Sequence, residues 1–386
     1  MPNLRLYAAI LTFLCIPTGW ATTDTSYSQA DVETAVLLRD DAMSGTRAWN
    51  IVESLTTEVG PRLAGSEAEA RARDWAVQNL TRYGFENVRV EPFMIEGWRR
   101  GAETAEVISP FPQKLAITSL GNSVATPANG VEAEVVLFES LAALRAAPED
   151  ALKGKIAYVG HAMKRTQDGS SYGHFVRLRS AGAVEAGRRG AIAALIRSIG
   201  TDSHRMPHTG NMSYASDVTP IPIAALSNPD ADQLERMAER GQSIRVKLTL
   251  TPSYTGVVES GNVIAELPGS DLADELVVIG GHLDSWDLGT GAIDDGAGVA
   301  ITMEVLRRIK EAGLKPVARF DWFYGALRRW DCSVVTPMQT STKIPCEITL
   351  LGQRATLAPV GSGRSLATSM SKRSRWRTRL PSSSSR

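Results

Sequence analysis

A helix over residues 66–83 is predicted by the pattern of apolar and polar positions. Its apolar residues recur at roughly helical spacing, at Ala70, Trp75, Val77 and Leu80. That spacing is typical of a helix that buries one face. Ser66 can cap its first turn, and Gly84 can end it. Residues 88–93 follow with the extended pattern of a strand.

Between residues 121 and 257 the pattern changes to short apolar runs, which are typical of β-strands. The predicted strands cover residues 135–138, 156–159, 191–196 and 244–250. Two helices are predicted among them, over residues 179–189 and 231–240. Residues 206–219 contain proline and glycine breakers, which indicate a loop. The region therefore has the pattern of an inserted β-rich module.

Strands and a helix alternate again in the stretch that follows. Residues 262–266 and 275–280 are predicted strands, and the second is almost wholly apolar, as buried parallel strands are. A loop rich in glycine and aspartate covers residues 281–298, and a helix is predicted over residues 299–310. This alternation predicts an α/β fold.

The first 21 residues have the pattern of a secretory signal peptide. Arg5 supplies the positive charge, residues 6–16 an apolar run, and residues 19–21 a small-x-small cleavage site. A membrane anchor is the alternative, but the apolar run is short for a bilayer. The cysteines are Cys15, Cys332 and Cys346. Residues 22–316 therefore use neither disulfides nor thiolate metal ligands, and we expect a secreted or periplasmic protein.

The charge balance divides the chain at about residue 316. The 42 basic and 42 acidic residues cancel overall, which argues against nucleic acid as a partner, because binding a phosphate backbone requires a basic surplus. Residues 317–386, however, carry 12 basic and 3 acidic residues, whereas the first 316 carry 30 and 39. The hydrophobic share of 43% and the charged share of 22% are those of a globular protein. The last 70 residues therefore differ chemically from the rest.

His282 and Asp294 are the candidate metal ligands. They lie in the loop that follows the apolar strand 275–280, and open α/β sheets bind ligands at the ends of such strands. Imidazole and carboxylate are ordinary zinc ligands, and an aspartate can bridge two ions. Asp284 can accept the other ring proton of His282 and so orient the ring. Short motifs are common by chance, so the alternative is a solvated loop in which His282 only caps the strand.

The string of residues 280–298, GGHLDSWDLGTGAIDDGAG, resembles the di-zinc exopeptidases of the plasma glutamate carboxypeptidase (carboxypeptidase Q) and bacterial secreted aminopeptidase type. Residues 55–93 resemble the N-terminal segment of that family, and residues 121–257 resemble its protease-associated insert. The resemblance implies an α/β fold with a mainly parallel mixed sheet flanked by helices and an inserted β-rich protease-associated domain. It also implies a zinc cofactor, with two ions per active site, and removal of terminal residues from peptides.

The resemblance also implies roles for the candidate residues. His282 would ligate one zinc, Asp294 would bridge both, and Asp284 would orient His282. The domain organisation that we expect is a signal peptide (1–21), the first part of the peptidase domain (22–120), the insert (121–257), the second part with the metal site (258–316) and an aberrant tail (317–386).

The family's remaining catalytic groups are missing from this chain. The family has a Glu-Glu pair that supplies the general base and a ligand, an aspartate in a Glu-Ser-Asp string, and a late histidine. Here the one glutamate after Glu311 is Glu347, and no histidine follows His282. A shifted reading frame can restore a Gly-Ala-Glu-Glu turn, whose Glu pair falls at codons 327–329, and a Glu-Ser-Asp string at codons 352–360. We therefore interpret the tail as out of frame and expect the chain as written to be inactive.

Several alternatives stay open. The tail could be a genuine extension rich in arginine and serine that binds anionic polymers or a membrane surface, and the chain could be a non-catalytic pseudoenzyme or a peptide-binding fragment. The other histidines are His161, His174, His204 and His208. We expect hydrogen-bonded loop positions for them, because ligand clusters need converging partners, although His208 could shape the substrate entrance. The expected partner is a peptide, without nucleic acid or an integral membrane segment after signal cleavage, and a homodimer stays open.

Overall fold

The computed structural model describes residues 28–316, 318–324, 347–350 and 353–356. The helices of these residues are α1 (Gln29–Ser44), α2 (Arg47–Ser54), α3 (Glu67–Arg82), α4 (Leu141–Ala146), α5 (Ser170–Phe175), α6 (Arg177–Gly187), α7 (Asn228–Glu239) and α8 (Gly298–Glu311). The strands are β1 (Glu86–Arg99), β2 (Glu103–Ser109), β3 (Gln113–Leu115), β4 (Ile117–Ser119), β5 (Val131–Phe138), β6 (Ile156–Val159), β7 (Ala193–Arg197), β8 (Ile223–Leu226), β9 (Arg245–Leu250), β10 (Ser253–Leu267), β11 (Leu272–Gly281), β12 (Ala318–Tyr324), β13 (Glu347–Leu350) and β14 (Gln353–Thr356). Two π-helical turns cover Leu55–Val59 and Ala292–Ala297.

The predicted signal peptide, residues 1–21, lies outside the described residues. Within the described ranges, no helix combines the length and the apolar composition that crossing a bilayer requires.

Helices α3 and α8 confirm two of the predicted helices, those over residues 66–83 and 299–310. The hydroxyl of Ser66 accepts a hydrogen bond from the main-chain N–H of Glu69 at 3.2 Å, which caps α3 as predicted. Leu80 of α3 is fully buried, and so are Met303 and Leu306 of α8. All three belong to one hydrophobic core, so the apolar stripes of both helices stabilise the same part of the molecule.

The sheet next to this core has the strand order β1, β10, β12, β11. Strand β10 pairs antiparallel with both β1 and β12, whereas β11 and β12 are parallel. The parallel pair arises because α8 carries the chain back across the sheet between β11 and β12. The sheet is mixed, as expected, but two of its three described pairings are antiparallel. The expectation of a mainly parallel sheet is therefore not met in the described strands.

Strand β12 lies within residues 317–386, the segment predicted to be an aberrant tail. It sits between β10 and β11 and pairs with both. Trp322 at its centre is fully buried, and its indole N–H donates a hydrogen bond to the Thr302 hydroxyl at 3.1 Å. The sheet thus continues beyond the predicted boundary at residue 316. Farther along, β13 and β14 form an antiparallel pair of their own.

A second sheet of eight strands forms the inserted region. Its order is β3, β2, β9, β5, β6, β7, β8, β4, with parallel pairing from β5 to β8. Successive side chains of a strand point to opposite faces. Tyr158 of β6 therefore packs in one core with Leu234 of α7, whereas Val159 packs in another with Leu178 of α6. The sheet begins with β2, before the predicted boundary at residue 121. The sequence analysis did not predict β2 because this strand is rich in polar residues and has no strong apolar run.

Candidate metal centre

The loop of residues 282–294, called the metal loop here, begins where β11 ends. The His282 ring is about one-third exposed (33%), and its Nε2 lies 2.8 Å from Oδ1 of Asp294. Its Nδ1 lies 3.0 Å from the main-chain carbonyl oxygen of Asp284 and 3.3 Å from a carboxylate oxygen of the same residue. The structure therefore places Asp284 and Asp294, two of the predicted site residues, beside the imidazole of the third, His282.

Asp295 joins the metal loop to the start of α8. Its carboxylate accepts hydrogen bonds from the main-chain N–H groups of His282 and Gly298, both at 3.2 Å. A Cβ at position 298 would lie 2.4 Å from that carboxylate, so the close approach requires glycine. Asp295 thus anchors the backbone of His282, while the side chain of Asp294 is largely exposed.

Two carboxylates set the electrostatics of His282. Asp284 raises the pKa of the imidazole, Asp294 raises it further, and burial opposes both, with the result that the pKa rises from 6.5 to about 9. A raised imidazole pKa shows that the site favours a positive charge. A metal ion bound at the ring would have to displace this proton, because a ligating imidazole is neutral, and it would be attracted by the same two carboxylates.

The donor chemistry of the pair fits zinc, which takes imidazole nitrogen and carboxylate oxygen as ligands. A tetrahedral site needs four ligands. Among the described residues, no group of three or more histidine, cysteine, aspartate or glutamate side chains is placed to hold a metal ion. This part of the chain therefore offers two protein donors, and further ligands would have to come from solvent or from outside the described ranges.

Glu69 of α3 is a buried acid on the core side of the site. Its side chain is about 1% exposed, and Nε of Arg73 lies 3.1 Å from its Oε1 in ion-pair contact. Burial raises the pKa of Glu69 from 4.5 to about 7 although Arg73 opposes the shift, and the negative charge of Asp284 raises the pKa further. The protonation state of Glu69, which is repelled by the charge of Asp284, therefore changes near neutral pH.

Replacing Glu69 by glutamine is expected to flatten the pH dependence of stability. Because folding raises this pKa, the folded state holds the proton more tightly. The stabilisation is complete below pH 4.5 and is lost as pH rises through about 7, with a slope of up to about 1.4 kcal/mol per pH unit. Urea unfolding at several pH values between 4.5 and 7.5 measures it. Glu259→Gln, at the exposed partner of Arg73, is the control, and an unchanged slope in Glu69→Gln would contradict the assignment.

Arg100 connects the metal loop to the inserted sheet. Its buried guanidinium makes a two-point contact with the carboxylate of Asp287, at 2.7 and 2.8 Å. The same group donates hydrogen bonds to the Thr118 hydroxyl at 2.7 Å and to the Thr209 hydroxyl at 3.3 Å. Arg100, which lies between β1 and β2, therefore bridges the metal loop to β4 and to the loop that carries His208.

The remaining histidines are held by local partners. Nε2 of His208 lies 2.6 Å from Asp202, and Nδ1 of His204 lies 3.2 Å from the same carboxylate. The rings of His161 and His174 pack edge to face at 5.6 Å, and both contact Phe175. His204 and His208 thus occupy loop positions with a carboxylate partner, as predicted, whereas His174 lies in helix α5 and packs with His161 and Phe175. The described contacts do not bring any of the four together with His282.

The chain is similar to known peptidases in sequence and in structure. The model for peptidase family M28 matches residues 262–322. Carboxypeptidase Q from Bos taurus is 41% identical over 270 residues, which are 70% of this chain and 56% of that protein. The crystal structure of a peptidase M28 precursor from Shewanella amazonensis SB2B is 47% identical, with a TM-score of 0.76, over 77% of this chain and 67% of that one. A zinc aminopeptidase from Bacillus subtilis has the same fold, at 20% identity and a TM-score of 0.52, over 73% and 61% of the two chains.

The chain belongs to peptidase family M28. It spans a little over half the length of the carboxypeptidase Q that it matches. The segment that the family model matches contains His282 and Asp294 and extends into β12. The α/β fold predicted from the sequence is thus the fold of this family.

Three residues of the site escaped the sequence analysis: Arg62, Arg100 and Asp295. The two arginines lie far along the chain from the residues that they hold, so no local spacing signals their contacts. Asp295 stands beside a predicted ligand, and only the structure separates its anchoring contacts from the exposed side chain of Asp294. For Asp295, the glycine-rich string of residues 280–298 was the available signal.

Proposed function

We propose that this protein is a zinc-dependent exopeptidase by descent, secreted or periplasmic, whose metal loop holds zinc through His282 and Asp294. The observation that carries the proposal is the imidazole and carboxylate pair, 2.8 Å apart, directly after a strand of the sheet. Membership of peptidase family M28 supports peptide hydrolysis. The zinc aminopeptidase with the same fold supports the choice of metal.

Asp284 and Asp295 would hold His282 in position for metal binding. Asp284 lies against the Nδ1 side of His282. Nε2, which faces Asp294, is thereby left as the ring nitrogen that would bind the metal ion. Asp295 fixes the main chain of His282 and so limits its movement. When bound, zinc polarises a peptide carbonyl and lowers the pKa of a coordinated water. Removing the proton of that water requires a general base.

We further propose that the chain as written does not complete this reaction. The base expected from the family is a glutamate that follows the helix corresponding to α8, and Glu347 is the one glutamate after Glu311. A non-catalytic protein that still binds metal or peptide is the second candidate, because the His282 and Asp294 pair is intact. The out-of-frame interpretation of residues 317–386 accounts for the missing glutamate.

Zinc titration by calorimetry tests the metal assignment. The wild-type chain is expected to bind zinc, and His282→Ala is expected to weaken binding at least about tenfold, because it removes one of two described ligands. His208→Ala is the control, since His208 is also paired with a carboxylate but lies in the insert. Equal zinc affinity in the wild type and His282→Ala would refute the assignment.

Hydrolysis of aminoacyl and dipeptide substrates with added zinc tests the proposed inactivity of the chain as written. We expect no turnover by the chain as written. Sequencing the genomic DNA across codons 313–330 then decides the origin of the tail. A single gained or lost base that restores the Glu-Glu pair would make the corrected gene the active enzyme, whereas an unchanged frame together with zinc-dependent turnover would contradict the proposed inactivity.

A further inference from the structure

Arg62 is a fully buried arginine that lies under the metal loop. It stands between the π-helical turn Leu55–Val59 and α3, more than 200 residues before His282 in the sequence. A buried guanidinium is costly unless its N–H groups are hydrogen-bonded. The hydrogen-bond acceptors of the guanidinium therefore indicate which parts of the chain Arg62 holds together.

The acceptors are main-chain carbonyl oxygens at both ends of the metal loop. Near its start, the guanidinium donates to the carbonyl of Leu283. Near its end, it donates to the carbonyl of Thr290 and, at 3.2 Å, to that of Gly291. A fourth bond, at 3.0 Å, goes to the carbonyl of Gly60. One side chain thus joins the two ends of the loop to each other and to the segment before α3.

The main chain of Arg62 reinforces this connection. The N–H of Ser285 donates to the carbonyl of Arg62 at 3.0 Å, and the N–H of Arg62 donates to the Ser285 hydroxyl at 3.1 Å. The loop is folded so tightly over the arginine that a Cβ at Gly291 would lie 2.4 Å from Cβ of Ser285, and Gly291 has a φ of +58°. Glycine tolerates both conditions.

The bonded positions lie between the two metal-ligand candidates in the sequence, close to each of them. Leu283 directly follows His282, and Gly291 precedes Asp294 by three residues. A guanidinium is a rigid planar fork with fixed N–H directions, so bonds to both ends of a loop fix the distance between those ends. Lysine carries a point charge on a flexible stem and cannot reproduce that geometry.

We propose that Arg62 is a positioning residue that sets the separation of His282 and Asp294 by joining the two ends of the metal loop. The inference rests on the proposed function, since it gives a role to the spacing of these two ligands. It does not make Arg62 a ligand or a catalytic group. It predicts that a change at Arg62 alters the loop locally and weakens metal binding without loosening the rest of the sheet.

Arg62→Lys tests the proposal in two independent measurements. Zinc affinity by calorimetry is expected to fall at least about tenfold, as loss of a supporting contact behind metal ligands typically causes. Amide hydrogen exchange of the zinc-free protein is expected to quicken in residues 283–291 and to stay unchanged in α3 and in the inserted sheet. Arg73→Lys is the matched control, because Arg73 is also buried in this core but pairs with Glu69 and Glu259.

The outcomes distinguish this inference from the proposed function. If the wild type binds no zinc, the proposed function fails, and the exchange measurement decides alone whether Arg62 holds the loop. Unchanged exchange in residues 283–291, or faster exchange across the whole β1–β10–β12–β11 sheet, would overturn the positioning role. Should Arg62→Lys fail to fold, Ser285→Ala removes one bond of the same connection, and its exchange must quicken in the same residues for the inference to stand.

Discussion

Replacing Trp322 by alanine is expected to destabilise the protein by about 3–5 kcal/mol, as truncation of a large buried aromatic side chain does. Trp322 is fully buried in β12, and its indole N–H donates to the Thr302 hydroxyl of α8 at 3.1 Å. Its loss would leave a cavity in the core, while the Thr302 hydroxyl would keep its own hydrogen bond to the carbonyl of Gly298. Urea unfolding of the whole chain, followed by far-ultraviolet circular dichroism, measures the loss.

The same experiment examines the first residues of the tail. Trp49→Ala is the control, because Trp49 is 68% exposed and its removal is expected to cost under about 1 kcal/mol. A comparably small effect of Trp322→Ala would mean that β12 does not contribute to the native sheet, as expected of an out-of-frame segment. A large effect would show that at least residues 318–324 are used in the fold.

Replacing Asp287 by alanine is expected to cost about 3 kcal/mol, because it removes the bidentate partner of a buried guanidinium. The two hydrogen bonds from Arg100, at 2.7 and 2.8 Å, are the described link between the metal loop and the inserted sheet at this point. The remaining contacts of Arg100, with Glu103 and with the Thr118 hydroxyl, would offset part of the loss.

A double-mutant cycle with Arg100→Ala isolates the pair from these other contacts. We expect a coupling free energy of at least about 1.5 kcal/mol in urea unfolding, since charged hydrogen bonds of this kind contribute that much. Arg99→Ala is the neighbouring control, because Arg99 is exposed and donates to the Ser253 hydroxyl. Additive effects of Asp287→Ala and Arg100→Ala would show that the insert does not hold the metal loop through this contact.

Local patterns predicted the elements that pack one apolar stripe or run against a core. Helix α3 followed from helical spacing, and the apolar run of β11 predicted the strand before His282. The expected strand 262–266 proved to be the buried end of the much longer β10. Its first half pairs with β1 in an exposed ribbon, where polar and apolar residues mix and no period marks a strand.

The candidate site was predicted in part for the same reason. His282, Asp284 and Asp294 share one short string, so their proximity follows from the loop itself. The contacts of Arg62 with main-chain carbonyls leave no trace in side-chain pattern, because any residue supplies a carbonyl. The link from Arg100 to Asp287 depends on the placement of two sheets, which local spacing does not encode.

The ribbon formed by β1 and β10 also bears on how such a molecule could have arisen. Arg99 and Ser253, where the chain leaves the first sheet and returns to it, are paired neighbours in the ribbon. Two positions so close can be joined by a short turn, so a gene could acquire or exchange all the residues between them without rearranging the strands of the host. A segment exchanged in this way would also have to restore the contacts that these residues make with the rest of the molecule, among them the two hydrogen bonds from Arg100 to Asp287 and the bond from the Tyr254 hydroxyl to the carbonyl of Asn122.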